Sequence, residues 1–290
     1  MVDSGATVRS MAEARDYLRP YAAMLPGNTV RSDLAAPRAD RQRFLTVSKE
    51  LGLTTVAVGA PDFKKSLSAI LDGYANHEGT YEVFPLQQDM AKLIAESGIT
   101  YTPMLLGRVG GHTGIEYMLA TEAPHVDPKV RHFSYHQDLD RLVRARGTWV
   151  PLDEYPFQDI VAGATRIVAA GGRVGVGSDG RVHGLGFHWT MWLLSRGGMP
   201  NHDVLRAATI FGAETIGGGS QLGSIEAGKL ADLQVLDRNP LTDIRNTSSI
   251  RYVMKNGRLY DASTLDQIAP TAKKMDKLWW LMLEPTEEAR

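Results

Sequence analysis

An acid and two imidazoles fall close together in one stretch of the chain, Arg173-Val-Gly-Val-Gly-Ser-Asp-Gly-Arg-Val-His-Gly-Leu-Gly-Phe-His-Trp189, which carries Asp179, His183 and His188. A carboxylate in such a place can take a proton from water or ligate a divalent cation, and an imidazole can do either or hold a substrate. The chain has 0 cysteines, so disulfides and thiolate ligation are excluded, and His, Asp and Glu are the strong ligands left. Val174 and Val176 alternate with small residues before a Gly-rich turn. That pattern predicts a buried strand delivering polar groups at its C-terminal end, which is where chemistry sits in a parallel barrel. The apolar run from Phe187 to Leu194 is the expected following helix.

Each of these residues also has a plainer reading. Asp179 between Ser178 and Gly180 suits a turn as well as a site. Ser178, Asp179 and His183 invite a serine-hydrolase reading, but no Gly stands two before the serine, so the nucleophile elbow is missing. His132 and His136 have helical i, i+4 spacing that would permit joint metal binding, without the neighbouring Glu of a His-Glu-x-x-His motif. His77 is a further candidate ligand; Glu78, next to it, must point to the opposite face of a regular strand. Arg31 can bind a substrate carboxylate or pair with Asp33 or another acid.

The elements that must position these groups follow a rhythm. Met11–Met24 has helix-forming composition, with Pro20 expected to kink or end it. Thr29 to Ser32 is a short candidate strand, and Arg38 to Glu50 is a helix stopped at Gly52. Strand Leu53 to Val58, helix Lys64 to Leu71, a strand within Tyr74 to Val83, helix Gln87 to Ser97 and strand Ile99 to Leu106 follow. Alternation at these lengths implies parallel strands with helical crossovers. Residues 107 to 156 break the rhythm and read as a long lid or binding loop, with its histidines solvated. Helix Phe157 to Ala170 leads into the central strand, and Asn201 is expected to cap a helix running to Gly212. Beyond Gly217-Gly-Gly, Leu233 to Leu236 and Tyr252 to Tyr260 are short strands, the latter folded at an Asn256-Gly257 turn. The tail's Leu278-Trp-Trp-Leu-Met-Leu283 cluster is expected to dock on the body or on a neighbouring chain.

With 290 residues the chain can bury one sizeable core, and a formal net charge of -1 argues against nucleic acid as a partner. No apolar run is long enough to cross a bilayer, so no membrane partner is expected.

Leu222-Gly-Ser-Ile-Glu-Ala-Gly-Lys-Leu-Ala-Asp-Leu-Gln-Val-Leu-Asp-Arg-Asn-Pro-Leu241 resembles the C-terminal signature of the metal-dependent amidohydrolase superfamily, and the Lys255-Asn-Gly-Arg258 hairpin fits the same place. Gly177-Ser178-Asp179 is similar to that family's eighth-strand motif. His188-Trp189 with Gly197-Gly198-Met199 looks like the branch found beside TolB-type propellers. The resemblance implies hydrolysis of amide or ester bonds in a (β/α)₈ barrel, with zinc or another divalent metal lowering the pKa of bound water and the Asp179 carboxylate as catalytic base. On it, Asp179 and His77 are the candidate metal ligands, and Arg31, His183 and His188 the substrate contacts. Arg31 stands at the position of the family's carbamylated lysine, and no His-x-His occurs. The implied fold is α/β: a partial TIM-barrel-like parallel sheet of about five βα units with a small C-terminal β appendage. Its expected divisions are residues 1–217, 218–268 and a tail 269–290. Such a sheet lacks the strands to close, so the partners expected are a small-molecule substrate and a second copy that completes the barrel. The alternatives are a metal-free relative that binds a small molecule or a protein without turnover, and a portion of a larger amidohydrolase.

Overall fold

The computed structural model describes residues 3–4, 8–24, 28–59, 62–107, 112–144, 150–178 and 182–282. A two-residue strand β1 (Asp3–Ser4) and helix α1 (Met11–Met24) come first. Then strands and helices alternate: β2 (Thr29–Asp33), α2 (Arg38–Glu50), β3 (Thr54–Val58), α3 (Phe63–Asp72), β4 (Asn76–Glu78), α4 (Gln88–Ser97) and β5 (Thr100–Thr102). Local chemistry marks the boundaries. The Asp62 carboxylate accepts from the Lys64 amide at the start of α3, and Gly73 ends that helix at φ 79°. Pro20 lies inside α1 without ending it.

Residues 107 to 156, expected as a loop, hold α5 (Gly114–Thr121), α6 (Pro128–Phe133) and α7 (His136–Arg144). Thr113 and Glu116 form a reciprocal capping box at the start of α5. Ser134 caps the end of α6, so His132 and His136 sit on different helices and lose the shared face their spacing implied. α8 (Phe157–Ala169), β6 (Arg173–Val174) and α9 (Leu185–Arg196) complete the alternation. The helix expected from Asn201 to Gly212 breaks at Thr209 (φ -130°, ψ -94°) into α10 (Asn201–Ala208) and α11 (Ile210–Thr215). Pro200 takes the cap position, while Asn201 accepts from the Ser195 hydroxyl and donates to the Leu241 carbonyl.

The six strands form one parallel sheet in the order β1-β2-β3-β4-β5-β6. A second, antiparallel sheet holds β7 (Leu233–Leu236), β8 (Ile250–Lys255), β9 (Arg258–Asp261) and β10 (Gln267–Ala269). Asn256 (φ 48°) and Gly257 (φ 74°) make the two-residue turn between β8 and β9. The tail docks on the body: the Trp280 indole donates to the His132 carbonyl at 3.1 Å, and Trp279 lies 5.1 Å from Tyr135. Among the described residues no helix is long and apolar enough to cross a membrane.

Register assigns the two faces of the parallel sheet. Ser32, Ala57, His77, Tyr101 and Val174 form one cross-strand row, which looks onto the helices. The core on that side includes Tyr74, Tyr81, Leu86, Ile94, Val161 and Ile167. Arg31, Val56, Asn76 and Thr100 form a row on the opposite face, followed two residues later by Asp33, Val58, Glu78 and Thr102.

Two predictions concern this packing. A Cβ at Gly114 would stand 2.1 Å from the Leu105 carbonyl oxygen and 2.9 Å from Leu193 Cδ1. Gly114→Ala should therefore cost about 3 kcal/mol, read as a lower denaturation midpoint. His77 is fully buried, stacks on Tyr81 at 4.5 Å, and has no hydrogen-bond partner at either ring nitrogen among the described residues. Burial disfavours the imidazolium and pushes its pKa from 6.5 down to about 4. The unfolded chain then takes up this proton at higher pH than the folded one. The stability involved is fully present above pH 6.5 and is lost as pH falls toward about 4. Its size is about 3 kcal/mol. His77→Phe should flatten the slope of unfolding free energy over that window, measured by urea titration at several pH values; an unchanged slope would show that other groups set it.

Candidate functional site

The C-terminal ends of the parallel strands bring the polar face to its richest point. Arg31 on β2 reaches over β3 to Glu78 on β4, its Nη2 3.0 Å from Glu78 Oε2. Both side chains keep about a third of their surface open, 32% and 29%. Beside them the Thr102 hydroxyl donates to Asn76 Oδ1 at 3.1 Å. Asp33 is engaged locally, its Oδ1 accepting from the Ala35 amide at 2.7 Å, so the pairing of Arg31 with an acid falls on Glu78. Gly59 lets β3 and β4 approach at their ends: its amide donates to the Glu78 carbonyl, and a Cβ there would lie 2.9 Å from both Glu78 O and Gly79 Cα.

β6 delivers the central stretch beside this pair. A Cβ on Gly175 would stand 2.5 Å from Thr102 Oγ1, and one on Gly177 3.1 Å from Thr102 Cγ2, so a side chain would collide with Thr102 at the first position and crowd it at the second. Buried Thr190, on α9, donates to the Gly177 carbonyl at 3.0 Å and fixes the strand end against the helix that follows. Asp179 lies outside the described residues. The description resumes at Val182 with φ 49°. A β-branched residue in the left-handed region costs about 1–3 kcal/mol and is held only where its surroundings demand it.

The other sequence candidates are dispersed. His183 is exposed ahead of α9. His188 Nδ1 lies 3.1 Å from Thr247 Oγ1, at the contact between α9 and the turn Ile244–Ser248. Burial, and then the Lys129 charge, hold its pKa below the ordinary histidine value. His77 sits on the helix-packed face, one residue out of phase with Arg31 and Glu78, and does not look onto their site. Sequence reasoning passed over Glu78 and Thr190. The adjacency of His77 and Glu78 did signal that one of the two had to face Arg31.

The divalent ion implied by the resemblance needs several convergent donors. Among the described residues no three His, Asp or Glu side chains come close enough to hold one. The face of Arg31 offers a carboxylate already paired with a guanidinium, and His77 points the other way. The described residues do not fit the ion. A separate cleft of about 490 Å³ lies between α9, the segment after α5 and the connection from β7 to β8, lined by Glu122, Val126, Leu185, Trp192, Arg238 and Arg245 among others. Arg245 grips Glu122 through two bonds of 2.8 and 2.7 Å and stacks 4.7 Å from the Trp192 ring.

Comparison with known proteins places these features in a family. A crystal structure of an amidohydrolase superposes with a TM-score of 0.61 at 19% identity, covering 89% of this chain and 59% of that one. A Xaa-Pro dipeptidase with methionine bound in its active site gives 0.60 at 18% identity, covering 88% and 59%. An adenosine deaminase from Xanthomonas campestris with bound zinc gives 0.52 at 15%, covering 88% and 54%. At these identities the likeness shows the fold, and the chain spans less than two thirds of the length of those structures. No curated protein matches the chain. The model of the Amidohydrolase family matches residues 67–260, from α3 through the β8–β9 hairpin, and the chain belongs to that family.

Proposed function

We propose that the chain hydrolyses an amide or ester bond of a small molecule at the C-terminal end of the parallel sheet, with Asp179 as general base and Arg31 holding a substrate carboxylate. The observation that carries this reading is the path of the chain just after β6. Positions 175 and 177 turn toward Thr102, on the face of Arg31 and Glu78, two residues ahead of Asp179 in the sequence. Family membership supplies the reaction class.

In this reading a water molecule gives its proton to the Asp179 carboxylate as its oxygen bonds to the substrate carbonyl carbon. The bond to the leaving nitrogen or oxygen then breaks, and the same proton passes to the leaving group. The Arg31 guanidinium presents a planar fork of donors suited to a carboxylate, which would fix the scissile bond relative to the base. His183, exposed on the loop after β6, is the proposed additional substrate contact. His188, bonded to Thr247, acts on that loop through α9.

A second reading is a relative that binds a small molecule without turnover, and the cleft of about 490 Å³ beside Trp192 favours it, since volumes of that order suit small ligands. A panel of simple amides, esters and dipeptides separates the two. Hydrolysis is expected, and Asp179→Asn should lower kcat about a thousandfold, within the usual range for a general base, while the melting temperature stays put. A ligand that raises the melting temperature with no product formed would favour the binding reading, and an active Asp179→Asn variant would refute the role of Asp179.

A further inference from the structure

We infer that this site carries its positive charge in the protein: Arg31, balanced by Glu78, stands in place of a divalent metal, and the chain works without one. The inference deepens the hydrolase reading, because it concerns the same end of the sheet, but it rests on separate observations.

The first is the donor set. The two rows facing the site are Arg31, Val56, Asn76, Thr100 and Asp33, Val58, Glu78, Thr102, so this face of β2–β5 holds no imidazole at all. The second is the state of the acids. Glu78 is held by the Arg31 guanidinium at 3.0 Å and Asp33 by the Ala35 amide at 2.7 Å, so a metal ion on these acids would sit beside a fixed cation and be repelled by it. The third is His77, whose ring nitrogens are sealed among Tyr81 and Tyr101 on the far face and would reach this face only if β4 turned over. An arginine also supplies what a metal would supply to an anionic substrate oxygen, a permanent positive charge, and adds directed hydrogen bonds. The Arg31 side chain keeps about a third of its surface open, 32%, and the contact with Glu78 is made through Nη2, so the guanidinium is not used up by Glu78.

The test uses the purified full chain, prepared without chelator, and does not depend on any substrate. Its zinc, manganese and iron content is measured by mass spectrometry after dialysis, and its melting temperature is compared in buffer, in excess zinc chloride and in excess EDTA. The inference predicts well under one metal ion per chain and no rise in melting temperature with zinc and no fall with EDTA, to within about 1 °C, because only a ligand bound by the folded state raises it. Near-stoichiometric metal, or a melting temperature raised by zinc and lowered by EDTA, would overturn it. Hydrolysis of the substrate panel with and without EDTA is scored separately. Inactivity in both defeats the hydrolase reading and leaves the metal inference to the binding data, whereas activity abolished by EDTA defeats the metal inference and leaves the hydrolase reading standing.

Discussion

Successive residues of a parallel strand point to opposite faces, and that constraint decides what this molecule can place at one point. Once Ala57, His77, Tyr101 and Val174 are committed to the helix-packed core, their neighbours in sequence are committed to the other side. Arg31, Asn76, Glu78 and Thr102 therefore gather on one surface whatever the loops do. The Arg31–Glu78 bridge crosses a whole intervening strand, and it stands over the valines of β3, whose short side chains leave room for it. A partly exposed pair of this kind adds only modestly to stability. Its greater effect is to fix where positive charge lies at the mouth of the sheet.

The remaining parts serve that arrangement. α9 packs Trp189 and Leu193 into the core and uses the hydroxyl of Thr190 to hold the backbone at Gly177, so the segment entering the Gly-rich turn is anchored just ahead of Asp179. On its other flank, α9 meets the turn Ile244–Ser248 through His188 and Trp192, both bonded to Thr247. The Glu122–Arg245 pair ties the end of α5 to the same turn. α9 and the turn Ile244–Ser248 together thus link the parallel sheet, the helical excursion after β5 and the connection between β7 and β8. Lys129 adds a further tie by donating to the Ile250 carbonyl.

Much of this was legible in the residues. Gly52, Gly73 and Gly98 adopt the positive φ values that a helix stop needs, and the β-branched run ending at Val58 favours the strand it forms. The Asn256-Gly257 turn follows equally from local chemistry. What failed to show was long-range. β4 has three residues, too few to display a period, so nothing local decided whether His77 or Glu78 faced the site; the packing of Tyr81 and Tyr101 around the imidazole decided it. The excursion from 107 to 156 read as loop although α7 sets Leu139, Leu142 and Val143 at helical i, i+3, i+4 spacing; the rest of that helix is charged or polar, and Leu139 is its buried residue. Its capping box at Thr113 and Glu116 was a readable signal of α5 that went unused. Asp179 lies outside the described residues, and its proposed role rests on the sequence and its resemblance to the family's eighth-strand motif.

The charge at the mouth of the sheet is set by Arg31 and Glu78 acting as one unit across β3. A double-mutant cycle with Arg31→Gln, Glu78→Gln and the double variant, read as unfolding free energies at low and high salt, measures this directly. Coupling of about 1 kcal/mol that weakens as salt rises is the predicted result for a pair with a third of its surface open. Additivity of the two substitutions within about 0.3 kcal/mol would contradict it, because the site would then have no protein-borne charge pair at its centre.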